Sequence, residues 1–193
     1  MSGPASEQDI QNLFTEMESR MTKSIDSMKH NVNSLRTGRA TPSLLDSVKV
    51  ESYGTFTSIN QVGNVSAPEP RLLVVQVWDK GLAKSVEKAI RDSDLGLNPS
   101  ADGSIIRVPI PDLTEERRKE LVKKASEYCE SAKIAVRNIR RDTIDSFKKM
   151  EKDKSISEDQ LKNLSEKIQK TTDIYTKKAD EILDTKSKEI MKV

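Results

Sequence analysis

Four cations in one short stretch, Lys133, Arg137, Arg140 and Arg141, are the residues of this chain whose types and spacing could do chemistry. Steps of three or four residues place such positions on one surface of a helix. No acidic residue lies between Ser131 and Arg141 to neutralise them. A guanidinium offers paired donors that match a phosphate, so one use of this surface is to hold a polyanion. No aromatic residue interleaves the arginines, so base stacking is not indicated. Recognition of backbone or shape in a structured RNA fits better. The other reading is a solvated face whose cations pair with acids on neighbouring helices. The residues alone leave both readings open. Arg36 with Arg39, and Arg117 with Arg118, form two further basic clusters. They fall near the end of one helical stretch and the start of another, and an antiparallel pairing would bring those ends together.

Little else points to a reaction. No Gly-rich phosphate loop, H-E-x-x-H, paired C-x-x-C or G-x-S-x-G is present. One Cys rules out a Cys-cluster metal site, and neither it nor the one His has an acid cluster around it, which argues against an enzyme. His30 reads as structural or exposed, and Cys129 as a small packing residue beside Tyr128. No enzyme activity, metal or cofactor is expected. No stretch approaches the roughly 18 apolar residues of a membrane span. The first residues, MSGPASEQD, lack the apolar core of a signal peptide. A cytoplasmic, reducing location is expected. Charged residues make up 33% of the chain and aromatics 4%, which suits long thin helices packed through aliphatic residues and Met. The net charge of +2 is uneven. Between residues 115 and 154, 13 Lys and Arg face 9 Asp and Glu, a surplus of +4.

The basic stretch belongs to a longer helical pattern from Asp112 to about Lys154, with no Gly or Pro after Pro111. Leu121, Ala125, Tyr128, Ala132, Val136, Ile139, Phe147 and Met150 recur at helical spacing, with Thr143 filling a gap. Thr114 is a candidate cap. A first helix is predicted from about Ser6 to Leu35, with Ser6 and Asp9 as a capping box. Its stripe is Ile10, Phe14, Met17, Met21, Ile25, Met28, Val32 and Leu35. A last helix opens on Ser157 and Gln160 and carries Leu161, Leu164, Ile168, Thr171, Tyr175, Ala179, Ile182, Lys186 and Ile190. Three such helices pack as an antiparallel three-helix bundle.

Between Gly38 and Pro111 the periodicity changes to alternation. Strands are predicted at 46–51, 55–59, 62–66, 71–78 and 104–108, with a turn at Tyr53-Gly54 and a helix from Lys80 to about Ser93 behind Asp79. The expected fold is therefore α+β. A discontinuous helical domain, 1–36 and 111–193, carries an inserted β/α/β domain, 37–110. The two connections are expected to act as a hinge of limited travel.

The stretches SLRTGRATPSLLDSVKVESYG, VEKAIRDSDLGLNPSADGSIIRVPIPDLTEERRKELVKKA and AVRNIRRD resemble the bacterial-type ribosome recycling factors. So does the order of elements, from about residue 7 to the C-terminus. That resemblance implies an L-shaped, non-enzymatic protein that enters the ribosomal A site after termination. With elongation factor G, and GTP hydrolysed by that factor, it splits the subunits and frees mRNA and tRNA. It also implies that the bundle lies against large-subunit rRNA through Arg137, with Arg140, Arg141 and Lys133 beside it. Arg36, Arg39, Arg117 and Arg118 fall in matching basic segments. The implied hinge is Thr37-Gly38 and Val108-Pro109-Ile110-Pro111, and a monomer is expected. Other classes open on the residues are a helical adaptor that dimerises as a coiled coil and an RNA chaperone that works without a ribosome.

Overall fold

The computed structural model describes residues 3–35 and 37–192, so the basic residue Arg36 lies outside the described residues. The chain divides into two units, Met1–Arg36 with Glu115–Val193, and Thr37–Thr114. It passes from one to the other at 36/37 and 114/115.

The first unit holds three long helices. Helix α1, Glu7–Asn33, opens on the Ser6–Asp9 capping box, in which each side chain accepts from the other's backbone N–H. Its buried stripe is Phe14, Met17, Met21, Ile25, Met28 and Val32. Two further long helices are numbered after the small one described below: α3, Glu115–Lys152, and α4, Glu158–Met191. The chain reverses between them through Lys154, at φ 60, and the Ser157–Gln160 capping box starts α4. Phe14 of α1 meets Phe147 of α3 with ring centroids 5.6 Å apart. Arg20 pairs with Asp142 at 3.0 Å, so sequence number rises along one helix as it falls along the other. The pairs Arg140–Gln169 and Lys133–Asp180 show the same for α3 and α4. Helix α3 is thus antiparallel to both neighbours.

Two stripe positions differ from expectation. Cys129, rather than Tyr128, takes the fully buried place on α3, and Thr172, rather than Thr171, takes it on α4. The longer Tyr128 stays half-buried with Lys124 over its ring. The buried hydroxyls of Thr143 and Thr172 donate to Ile139 and Ile168 carbonyls in their own helices. Neither is left unsatisfied.

The second unit is built on alternation. Strands β1, Lys49–Ser52, and β2, Thr55–Ser58, form a hairpin over Tyr53-Gly54. Both turn residues have positive φ, 47 and 88. Strands β3, Gly63–Glu69, β4, Leu72–Val77, β5, Ser100–Asp102, and β6, Ile105–Pro109, form an antiparallel sheet in the order β3-β4-β6-β5. Helix α2, Ala83–Arg91, contributes Val86 and Ile90 to the core with Leu73, Val75, Ile106 and Val108.

Several predicted boundaries need correction. Strand β3 continues past Ser66 to Glu69, because an irregularity in the ladder accommodates Pro68 at the sheet edge. The helix behind Asp79 begins as a 3-10 turn, Lys80–Leu82, with the Asp79 carboxylate accepting from Gly81 N–H. Strand β5 lies in a stretch where the sequence pattern predicts none. Most relevant to motion, Val108 and Pro109 belong to β6, opposite Leu73 and Leu72. Ile110 is buried and donates its N–H to the Arg71 carbonyl at 2.8 Å. These three residues are part of the folded small unit and not a free connection. Their inbound counterpart, Ala40, donates to the neighbouring Pro70 carbonyl at 2.7 Å. Gly38, at φ 79, lies where an added Cβ would press on Leu113, so a side chain there meets both backbone and packing strain.

Met21 is fully buried at the centre of the α1 stripe. Met21→Ala is expected to lower unfolding stability by about 2–5 kcal/mol, read by urea denaturation. Glu18→Ala, on the exposed side, should stay within about 0.5 kcal/mol of the parent. Equal effects would contradict the packing described here.

Candidate nucleic-acid interface

Helix α3 presents the cations because its other face is committed. Ala132, Val136, Ile139 and Thr143 point into the core, which leaves the positions between them outward. The four cations then divide into two pairs. Lys133 and Arg140, seven residues apart, lean on α4. The Lys133 ammonium lies 2.7 Å from an Asp180 carboxylate oxygen, with one fifth of its side chain exposed. The hydrogen bond from Asp180 raises its pKa above the ordinary lysine value, opposed in part by burial. Arg140 Nη1 donates to Gln169 Oε1 at 2.7 Å, and its Nε is buried without a partner. Gln169 Nε2 in turn donates to Asp173 Oδ1 at 2.8 Å.

Arg137 and Arg141 are the outward pair. Arg137 approaches Glu130 at 3.5 Å, with both side chains about half exposed. Such a contact is worth little in water. Arg141 is exposed and makes no ion pair among the described residues. Exposed Ile134 precedes Arg137 by one helical turn. The surface therefore carries two outward cations and two held by α4, of which Lys133 is paired with an acid and Arg140 with a neutral amide.

Arg117 and Arg118 lie elsewhere on α3. Arg117 pairs with Glu120 at 2.8 Å in its own helix, and Arg118 lies beside it, half-buried. Twenty residues of helix separate Arg117 from Arg137, a span of about 30 Å. Arg39 is exposed on the small unit.

Sequence reasoning missed features on each unit taken by itself. Asp180, Gln169 and Asp173 lie far along the chain from the cations they face. Trp78, expected inside a covered strand, instead follows β4 and is 69% exposed. The alternation of buried Leu73, Val75 and Val77 already places residue 78 on the outer side. Tyr53 and Phe56, on the β1–β2 hairpin, are exposed as well. The Tyr53 hydroxyl donates to Asp79. That bond raises the phenol pKa and, with the Gly81 N–H, lowers that of the carboxylate.

Buried Cys129 donates weakly to Asp180 at 3.8 Å, and burial is the largest cause of its raised thiol pKa. It has the environment of a packing residue, not of a nucleophile. Among the described residues no group of three or more His, Cys, Asp or Glu could hold a metal ion. Nor is any described helix long and apolar enough to cross a membrane.

The family model for ribosome recycling factor matches residues 28–191, which include α3, α4 and the whole small unit. The chain belongs to the ribosome recycling factor family. It is 53% identical to the ribosome-recycling factor of Rhodospirillum centenum, over 91% of this chain and 95% of that one. It is 52% identical to the Brevibacillus brevis factor, over 95% and 99%. A solution structure of a ribosome recycling factor superposes with a TM-score of 0.70 at 41% identity, covering 96% of this chain and 98% of the other. A second match, 49% identical with a TM-score of 0.60, covers 94% and 98%. It comes from models of the Thermus factor, T. thermophilus, and E. coli elongation factor G bound to the E. coli post-termination complex. Recycling factors are translation factors and not enzymes.

The Lys133–Asp180 pair gives a pH signature. A raised lysine pKa means that its contribution is complete below the unfolded value, about 10.4, and is lost as pH climbs through the folded one. Lys133→Met should therefore be less stable than the parent by about 1 kcal/mol between pH 7 and 9. The gap should close above pH 10.5 in urea titrations. A gap that persists unchanged at pH 11 would show that the ion pair is not its source.

Proposed function

We propose that the bundle unit docks on large-subunit rRNA through the outward face of α3, with Arg137 and Arg141 meeting phosphates directly. Lys133 and Arg140 lie on the α4 side of that face, where Arg140 adds its charge and Lys133 is paired with Asp180. The chain acts as a cytoplasmic monomer on the post-termination ribosome. Together with elongation factor G it separates the subunits and releases mRNA and tRNA. GTP is hydrolysed by that partner, so the chain itself uses no cofactor.

The observation that carries this reading is the unneutralised Arg141 beside loosely paired Arg137, on a helix whose rotation is locked by its buried stripe. Phosphate contact is worth most where the cation is already in place and has no strong partner to leave. Family membership and the post-termination complex of the Thermus factor with elongation factor G supply the biological setting.

Motion enters through the two linkers. With Val108, Pro109 and Ile110 committed to the small unit, rotation in this proposal falls at Thr37-Gly38 and between Pro111 and Glu115. Rotation there would let force applied to the near-neutral small unit act on an rRNA-anchored rod. Thr37 and Gly38 keep the hinge role expected of them, while the outbound hinge moves to the segment after Pro111. Arg36, Arg39, Arg117 and Arg118 would add secondary phosphate contacts.

Subunit splitting of post-termination ribosomes, followed by light scattering with elongation factor G and GTP, tests the proposal. The parent chain should split them. Arg137→Ala should split them about tenfold more slowly, a loss of roughly 1.4 kcal/mol, with unchanged helical content. Failure of the parent chain with a matched elongation factor would refute the recycling function. Undiminished splitting by Arg137→Ala would remove the anchor from this face.

A further inference from the structure

Arg140 differs from the other cations of α3 in how it is held. Its guanidinium has one hydrogen-bonding partner among the described residues, the Gln169 side chain on α4. Its Nε is buried and unpartnered, so no second bond fixes the head group. Gln169 is itself oriented without ambiguity. Arginine only donates and an ionised aspartate only accepts. Between Arg140 and Asp173, the amide must turn its oxygen to the arginine and its nitrogen to the acid. Asp173 lies one helical turn from Gln169 and keeps that orientation.

The identity of the acceptor matters. An acid at position 169 would hold Arg140 at least as firmly, but it would cancel the charge. Lys133 shows that arrangement a few residues away, with Asp180 against its ammonium. The amide oxygen of Gln169 fixes Arg140 and leaves its positive charge for an outside anion.

We infer that Gln169 is a positioning residue for polyanion binding: it anchors Arg140 without neutralising it, and Asp173 sets its amide. This rests on the reading of α3 as the rRNA-facing surface. Substitutions at 169 therefore act through Arg140, and their effect depends on whether Arg140 is present.

The test is binding of the full chain to purified large ribosomal subunits across a range of salt concentrations. Gln169→Glu, Gln169→Met, Arg140→Ala and the Gln169→Met/Arg140→Ala double variant are compared with Arg137→Ala. Gln169→Met keeps the side-chain volume and removes the acceptor, so packing at the helix contact is retained. Urea midpoints and helical content identify any variant that is merely unfolded. Gln169→Glu should bind about tenfold more weakly at low salt, and its log–log salt slope should fall by about one, as for loss of one phosphate contact. Gln169→Met should lose about threefold. The double variant should bind no more weakly than Arg140→Ala alone, since the two act as one unit.

If Gln169→Glu and Gln169→Met bind as the parent does while Arg140→Ala weakens binding, the inference is overturned and the basic-face reading stands. Multiplicative losses in the double variant would also overturn it, because Gln169 would then act apart from Arg140. If Arg137→Ala and Arg140→Ala both bind like the parent with unchanged salt slope, the basic-face reading fails and the inference falls with it.

Discussion

The burial of one apolar stripe on α3 sets the geometry of everything on its opposite face. The stripe runs from Leu121 through Ala125, Cys129, Ala132, Val136 and Ile139 to Phe147, and it is covered by α1 and α4. Burial of each large apolar side chain contributes about 1.5–3 kcal/mol, and isolated helices are marginal without such cover. Rotation of α3 by one residue, about 100°, would drive charged residues into the methionine-lined core and expose the stripe. Surface ion pairs worth a fraction of a kilocalorie cannot compete with that cost. The placement of Arg137 and Arg141 is thus decided by apolar packing, with electrostatics as a consequence. Methionine suits the covering role on α1, since its unbranched side chain fills the irregular gaps that facing small residues leave.

The small unit follows a different rule, alternation on a twisted antiparallel sheet, and it is closed where the chain enters and leaves. Ala40 and Ile110 bond to adjacent carbonyls, Pro70 and Arg71, on the turn between β3 and β4. Arg71 also forms an ion pair with Asp112. Inbound and outbound segments are thereby fastened to one another within the unit.

Much of this is legible in the chain. Regular spacing of Phe14, Met17, Met21, Ile25 and Met28 identifies both the helix and its buried face. Ser6 with Asp9, and Ser157 with Gln160, mark helix starts because their side chains can answer unpaired backbone N–H groups. The basic cluster in α3 is visible for the same reason, as adjacent positions on one helical surface. The division of that cluster is not. It depends on Asp180, Gln169 and Asp173, which reach α3 only when the antiparallel register of α4 is set. Tyr128 and Cys129 both fit the helical spacing between Ala125 and Ala132, and the smaller side chain takes the buried place. Val108 and Pro109 resemble an extended connection because two prolines in three residues break a sheet interior. At the end of β6 the missing N–H of Pro109 is tolerated.

The central claim, that the outward face of α3 meets rRNA, is tested most directly by local cleavage. An iron chelate is tethered to Asn138→Cys, an exposed position between Arg137 and Arg141, in a Cys129→Ala background. The same chelate on exposed Ile174→Cys of α4 serves as the contrast. Hydroxyl radicals from position 138 should cut large-subunit rRNA at a compact set of nucleotides, with much weaker cutting from 174. Strong cutting from 174 with none from 138 would contradict the account, because the anchored face would then lie on the other side of the bundle.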